Sequence, residues 1–76
     1  MDVVEILRYI IGQLVEDPET ITIEQDGEEV KVFVKKSDMG KVIGRQGRIA
    51  KAIRTVVRAV AVKENKKFNI EIQEVE

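Results

Sequence analysis

The chain has 76 residues, of which 43% are hydrophobic and 36% are charged, so it can form one small soluble domain. It contains no cysteine and no histidine. Their absence excludes disulfides and thiolate metal sites and removes the commonest general base. No apolar run approaches membrane-spanning length and the N-terminus lacks a secretory pattern, so we expect a cytoplasmic protein without a membrane partner.

Charge is unevenly distributed along the chain, although the net charge is only −1. Residues 35–67 contain eleven Lys or Arg and two acids, which gives this segment +9, and the remaining residues carry −10. A segment of this kind can bind a polyanion locally while the whole chain stays near neutral. A solvated basic face that balances an acidic one explains the charge equally well.

The first half of the sequence predicts a helix followed by a hairpin. Residues 1–17 have apolar side chains at helical spacing, Asp2 and Glu5 fit an N-cap and capping box, and Pro18 should end the helix before itself. Residues 19–25 alternate, with Ile21 and Ile23 on one face, and predict a strand. Residues 26–29 (DGEE) predict a tight turn into a second, antiparallel strand whose inward residues are Val30, Val32 and Val34.

The second half predicts a short helix, a long helix and a last strand. Residues 37–43 (SDMGKVI) form the short helix, capped by Ser37 or Asp38. The long helix should run from Arg48 to about Val62. Its apolar face is expected at Ile49, Ile53, Val56, Val57 and Val60, and a basic stripe roughly opposite at Arg48, Lys51, Arg54 and Arg58. After a loop at 64–67, the alternation of Phe68, Ile70 and Ile72 predicts a strand.

The predicted element order is therefore α-β-β-α-α-β within one domain, residues 1–76. Three strands in one sheet with helices over one face make a two-layer α+β domain.

The four residues GRQG, Gly44 to Gly47, interrupt the helical pattern. Glycines let the backbone turn sharply and let another backbone come close. The second glycine should open the long helix, whose first N–H groups lack intrahelical partners and whose dipole places positive charge there. Arg45, Gln46 and Arg48 add donors suited to phosphate oxygens, so the break is typical of a docking point for a sugar–phosphate backbone. A tight helix–helix corner with solvated arginines remains the simpler alternative.

The segment VIGRQGRIAKAIR resembles the signature of KH domains, Val-Ile-Gly-x-x-Gly-x-x-Ile, at Val42, Ile43, Gly44 and Gly47. It departs from the signature at Ile49, which follows Gly47 by two residues rather than three. The predicted order, with a strand last, resembles the type II KH arrangement. Over nearly all its length the chain is most similar to the small bacterial single-KH RNA-binding proteins, the KhpA family.

The resemblance implies that the glycine loop clamps about four nucleotides of single-stranded RNA. It also implies a shallow apolar groove for bases, with Ile43, Ile49, Ala52 and Ile53 facing strand residues 68–72. The residues that we expect to bind RNA are Lys41, Ile43, Gly44, Arg45, Gln46, Gly47, Arg48, Lys51 and Arg54. No cofactor or metal is expected. A single clamp binds weakly, so the family resemblance suggests a homodimer, or a heterodimer with a larger KH-containing protein of the Jag type.

The sequence favours RNA binding, as in a post-transcriptional regulator or RNA chaperone, and three other functions are alternatives. A protein-interaction module of KH shape, with incidental RNA binding, could use Phe33 and the outer strand face. Single-stranded DNA could replace RNA as the ligand. An enzyme is disfavoured, because GRQGR lacks the spacing and hydroxyl of a phosphate-binding NTPase loop and the chain has no Cys or His nucleophile.

Overall fold

A computed structural model describes residues 2–75, which form six main elements. In chain order they are helix α1 (Val3–Gly12), strands β1 (Thr22–Asp26) and β2 (Glu29–Lys35), helices α2 (Lys36–Ile43) and α3 (Arg48–Lys63), and strand β3 (Asn69–Val75). The predicted order α-β-β-α-α-β is confirmed. None of the helices in this part of the chain is long and apolar enough to cross a bilayer.

Helix α1 begins as the sequence predicts and ends earlier than predicted. The Asp2 carboxylate accepts a hydrogen bond from the Glu5 N–H at 2.9 Å, which confirms Asp2 as the N-cap. The helix ends at Gly12, so Pro18 does not set its end. Pro18 instead opens a short 3₁₀ turn, and its side chain lies against Gly12, where an added Cβ would be 3.5 Å away. The chain turns back on the helix at this point.

The three strands form one mixed sheet in the order β1-β2-β3. Strands β1 and β2 are an antiparallel hairpin, with Ile23 opposite Val32, and Gly27 in the connecting turn has the positive φ (+61°) expected of it. Strand β3 is parallel to β2, with Val30 opposite Ile70. Parallel neighbours need a crossover, which here consists of α2, the glycine loop and α3.

The core lies between one face of this sheet and the helices. Val30, Val32 and Val34 are at most 1% exposed, whereas Lys31 and Lys35 on the opposite face are exposed. Helix α1 packs on α3, and α2 packs on both α3 and the central strand. The other core residues are Val3, Leu7, Ile11, Val15, Ile21, Val42, Ile53, Val57 and Ile70. The predicted two-layer α+β fold is therefore confirmed.

Two local predictions for the helical half are wrong. Helix α2 follows β2 without a loop, so Lys35, in extended conformation, is its N-cap and neither Ser37 nor Asp38 caps it. Asp38 lies within the first turn and is 2% exposed, the only buried charged side chain among residues 2–75.

The buried face of α3 is also rotated from the predicted one. It consists of Ala50, Ile53, Val57 and Ala61, while Val56 is 44% exposed. Ala50 and Ala61 have small side chains that can pack closely against the rest of the core. The centre of the buried face therefore lies nearer to these alanines than to the larger β-branched Val56. The basic stripe on the other side is exposed as predicted.

We expect opposite results from one substitution at two neighbouring positions of α3. Ile53→Asp should lower the free energy of unfolding by more than about 4 kcal/mol, because an unpaired charge would enter the core. Val56→Asp should cost less than about 1 kcal/mol, because its side chain reaches water. Urea unfolding of dilute protein, followed by far-UV circular dichroism, measures both. Equal losses would place Val56 in the core after all.

Candidate nucleic-acid interface

The loop between α2 and α3 is a single tight turn bounded by two glycines. Gly44 (φ +78°, ψ 174°) ends α2, and its N–H donates to the Gly40 carbonyl at 2.9 Å. Residues Arg45–Gly47 form one 3₁₀ turn, and Gly47 (φ +73°, ψ 14°) is the N-cap of α3. The prediction that the second glycine opens the long helix is confirmed.

The two glycines are needed for different reasons. A Cβ on Gly44 would lie 2.6 Å from Ile49 Cγ1, so the side chain of Ile49 packs directly onto the Gly44 backbone. A Cβ on Gly47 would have no atom within 4 Å. The first glycine therefore permits close packing inside the protein, and the second lies on the open side of the loop, where a ligand backbone can approach.

The amides at the start of α3 are less free than the sequence indicates. The Gly47 N–H donates to the Gly44 carbonyl at 3.2 Å, and the Arg48 N–H donates to the Arg45 carbonyl. The 3₁₀ turn thus uses two donors that were expected to be unpaired. Attraction for an anion at this point depends more on the α3 dipole and on the neighbouring side chains.

Three polar side chains surround the open side of Gly47. Arg45, Gln46 and Arg48 are all exposed, and Arg48 Nη2 lies 3.5 Å from Gln46 Oε1. Gln46 has a left-handed backbone (φ +58°, ψ 26°), which is uncommon for a residue with a Cβ and often occurs at functional sites. Arg48 contacts the amide oxygen of Gln46, so the Gln46 NH₂ stays available as a donor.

Lys41, Lys51 and Arg54 are the remaining predicted cations, and two of them contact their own chain. Lys51 is exposed. Lys41 Nζ is 3.5 Å from the buried Asp38 carboxylate, but its side chain is 53% exposed, so this pair is weak and its ammonium can turn to another anion. Arg54 Nη2 lies 3.5 Å from the Ile70 carbonyl and therefore reaches from α3 to β3.

The expected apolar groove is only partly assembled as the sequence suggested. Ile43 and Ile49 are half-buried beside the loop, but Ile53 is 3% exposed and belongs to the core. Ala52 is exposed, and a two-residue separation places it about 160° around the helix from Arg54, away from β3. The concavity that faces Phe68 and Ile70 is formed instead by later residues of α3.

Comparisons with known proteins identify the family. The family model described as KhpA/KhpB, KH domain, matches residues 4–72. The chain belongs to this family. No solved structure gives a significant match.

Relatives with curated names have nearly the same length as this KH domain. The RNA-binding protein KhpA of Clostridium perfringens is 53% identical over 90% of this chain and 96% of its own. The RNA-binding protein KhpA of Listeria monocytogenes is 47% identical over 92% of this chain and 97% of its own. The protein of the same name from Chlamydia trachomatis is 40% identical, over 92% and 95%.

The acidic side chains of the hairpin line a concavity of their own. Glu24, Asp26 and Glu29 line it together with Gln25 and Lys31, and no residue of the Gly44–Gly47 loop does. Among residues 2–75 no group of three or more acidic side chains has a geometry that could hold a metal ion.

Lys66 and Lys67 line a concavity that the sequence does not predict, since the sequence indicates only a loop at 64–67. Together with Arg58 they line the concavity beside Phe68. Two adjacent lysines directly before an aromatic residue were the available signal in the sequence.

Substitution by alanine should distinguish the structural role of Gly44 from that of Gly47. Gly44→Ala should lower the free energy of unfolding by about 2–4 kcal/mol, because it adds a clash with Ile49 to the cost of positive φ. Gly47→Ala should cost only about 1 kcal/mol, because positive φ is its sole penalty. Urea unfolding measures the difference. A Gly44→Ala variant as stable as Gly47→Ala would contradict the close packing at Ile49.

Proposed function

We propose that this KH domain binds single-stranded RNA by holding the sugar–phosphate backbone of about four nucleotides against its Gly44–Gly47 loop. The observation that carries the proposal is the open side of Gly47, at the N-terminus of a 16-residue helix and beside Arg45, Gln46 and Arg48. Three curated relatives at 40–53% identity bear the name RNA-binding protein, which supports RNA as the ligand.

The proposed mechanism is electrostatic at the loop and apolar beside it. One phosphate approaches Gly47, where no side chain obstructs it, and the two guanidinium groups donate to its oxygens. The α3 dipole favours the same negative charge. Lys51 and Arg54, farther along α3, contact the next phosphates of the RNA. Lys41 exchanges its contact with Asp38 for a contact with phosphate.

Base recognition is expected to be modest. The half-buried Ile43 and Ile49 offer apolar contact to a base next to the loop. The chain has only three aromatic residues, and Tyr9 lies on α1 rather than beside the loop. A reader that depends on several stacked bases is therefore a poorer description of the site than a backbone clamp. We propose a binding function of this kind and no catalysis.

Weak, nonspecific contact suits a post-transcriptional regulator or RNA chaperone in the cytoplasm, which must release RNA as readily as it binds. Weak binding by one domain also suits a protein that acts as a dimer, because two linked RNA-binding domains gain affinity through effective concentration.

We propose that the domain pairs with a second copy or with a larger KH-containing protein of the Jag type. The name of the family model, which joins KhpA and KhpB, supports such pairing.

The outer surface of α3 favours the protein-interaction alternative in part. Ala52, Val56 and Ala59 are exposed and recur at helical spacing, and they form an uncharged strip that another helix could approach closely. If this strip joins two chains, Val56→Asp should lower the sedimentation mass of the protein without unfolding it. A pure interaction module would bind its partner and leave RNA unbound.

Charge reversal in the loop should abolish RNA binding. For the unmodified protein and a tetranucleotide, we expect the affinity to fall with salt at a logarithmic slope of about 2–3, from three to four phosphates at about 0.7 each. Arg45→Asp with Gln46→Asp should weaken binding by at least about tenfold, because donors to phosphate become acceptors. Fluorescence anisotropy over a salt series, with single-stranded DNA in parallel, measures both.

A matched control exists at the other end of α3. Lys63→Asp with Asn65→Asp makes the same charge change, and Asn65 has the same positive φ (+58°) as Gln46. It should leave tetranucleotide binding nearly unchanged. Equal losses in the two variants would reject the loop as the clamp, and a flat salt response would favour the protein-interaction function.

Aspartate at Gly47 should remove RNA binding for a local reason. It adds a Cβ and a negative charge at the position that phosphate must approach. Gly27→Asp provides the control, because Gly27 has a similar φ (+61°) and equally open surroundings but lies in the acidic hairpin. Both variants should lose similar stability in urea, and only Gly47→Asp should lose RNA. Intact binding by Gly47→Asp would contradict the clamp.

A further inference from the structure

Asp38 is an acidic side chain in the most basic part of the chain. Residues 30–63 contain ten Lys or Arg and a single acid, Asp38. Every other acidic residue among residues 2–75 is exposed, whereas Asp38 is 2% exposed. Burying a carboxylate costs free energy unless the carboxylate is paired. The segment that should attract a polyanion therefore contains one anion, and that anion lies inside the domain.

The formation of helix α2 does not explain why Asp38 is buried. The N-cap of α2 is Lys35, and no side chain caps this helix by a hydrogen bond. An acid in the first turn is favoured by the helix dipole, but an exposed carboxylate would gain the same attraction without being desolvated. The burial of Asp38 is therefore better explained by what its carboxylate contacts.

The contact of Asp38 is a lysine that we expect to bind RNA. Among residues 2–75, Lys41 is the only cation within 4 Å of the Asp38 carboxylate, with Nζ 3.5 Å from Oδ1. The Lys41 side chain is 53% exposed, so its ammonium is accessible to a ligand as well. Lys41 is three residues from Asp38 and three from Gly44, and helix positions at that spacing are neighbours. Lys41 can therefore turn toward either one.

An RNA phosphate at the loop and the Asp38 carboxylate compete for the same ammonium group. When Lys41 turns to phosphate, Asp38 stays buried and loses its ion pair, and a buried charge without a partner is unfavourable. The free energy of the new contact is reduced by this loss. A phosphate therefore gains less from Lys41 than it would gain from a lysine that has no acidic partner.

We propose that Asp38 limits the affinity of the loop for RNA by holding Lys41, so that the bound strand is readily released. The inference rests on the proposed function and adds to it a residue that opposes binding. Asparagine has nearly the shape of aspartate and no charge, so Asp38→Asn should free Lys41 and tighten RNA binding. An aspartate with a purely structural role would change the stability of the fold and leave the affinity for RNA unaltered.

The first experiment measures tetranucleotide binding by fluorescence anisotropy over a salt series. Asp38→Asn should tighten binding about three- to fivefold at low salt. It should also increase the logarithmic salt slope by about 0.7, because Lys41 then neutralises a phosphate instead of exchanging one anion for another. The control, Asp26→Asn, makes the same charge change at an exposed position of the hairpin and should alter neither quantity. Urea unfolding checks that both variants are folded.

A second pair of variants tests whether Asp38 acts through Lys41. Lys41→Gln removes the ammonium for which carboxylate and phosphate compete. Adding Asp38→Asn to Lys41→Gln should therefore produce little of the gain that Asp38→Asn produces alone. An equal gain in both backgrounds would mean that the carboxylate repels RNA directly, and it would overturn the proposed role of Lys41.

The unmodified protein provides a test that does not depend on the stability of any variant. In ¹³C-labelled protein, the side-chain carboxyl resonance of Asp38 should shift as the tetranucleotide reaches saturation, because Lys41 leaves it. The carboxyl resonance of Asp26 should stay in place.

The outcomes separate this inference from the proposed function. Unchanged or weaker binding by folded Asp38→Asn overturns the inference, and so does an Asp38 carboxyl resonance that stays in place at saturation. In both cases, tetranucleotide binding by the unmodified protein still supports the loop clamp. Failure of both the unmodified protein and Asp38→Asn to bind the tetranucleotide rejects the proposed function and the inference with it.

Discussion

The contact between the Gly44 backbone and the Ile49 side chain determines how the rest of the interface is arranged. It brings the end of α2 and the start of α3 so close that a Cβ at position 44 would lie 2.6 Å from Ile49. The residues between them are then confined to a single 3₁₀ turn that projects outward. A looser connection would let the loop fold onto the domain, and Gly47 would lose its open side.

Charge is separated in space as well as in sequence. On the outer face of the sheet, Lys31 lies between Glu24 and Glu71 in register, so two carboxylates offset its charge. The exposed lysines and arginines of the loop and of α3 have no acidic neighbour on that helix before Glu64. A polyanion is therefore attracted to one side and repelled by the other, although the net charge is only −1.

The strands and the glycine loop could be predicted from the sequence because their signals are local. Alternation of Val30, Val32 and Val34 fixes which face is buried, and a glycine in DGEE fixes the hairpin turn. The rotation of α3 could not be predicted. Packing against the rest of the core, rather than local sequence, decides that Ala50 is buried and Val56 is exposed. The sequence places the end of α1 too late, because Pro18 is a strong helix-ending signal whereas the helix already ends at Gly12.

For the candidate site, the exposure of the loop side chains could be predicted from the sequence, but their contacts could not. Arg45, Gln46 and Arg48 are exposed at the loop, as expected, but the hydrogen bonds that occupy the amides of Gly47 and Arg48 depend on a 3₁₀ turn that no local pattern indicates. The concavity beside Phe68 depends on parallel pairing of β2 with β3, which places the end of α3 beside the start of the last strand. Such long-range geometry is not encoded in any single segment.

The most direct measurement is a titration of ¹⁵N-labelled protein with a single-stranded tetranucleotide, followed residue by residue through the backbone amide resonances. If the loop is where the RNA backbone docks, the amides of residues 44–48 should shift most and reach saturation together, while those of the 26–29 hairpin stay in place. Saturable binding that leaves residues 44–48 unmoved would contradict the loop as the docking point.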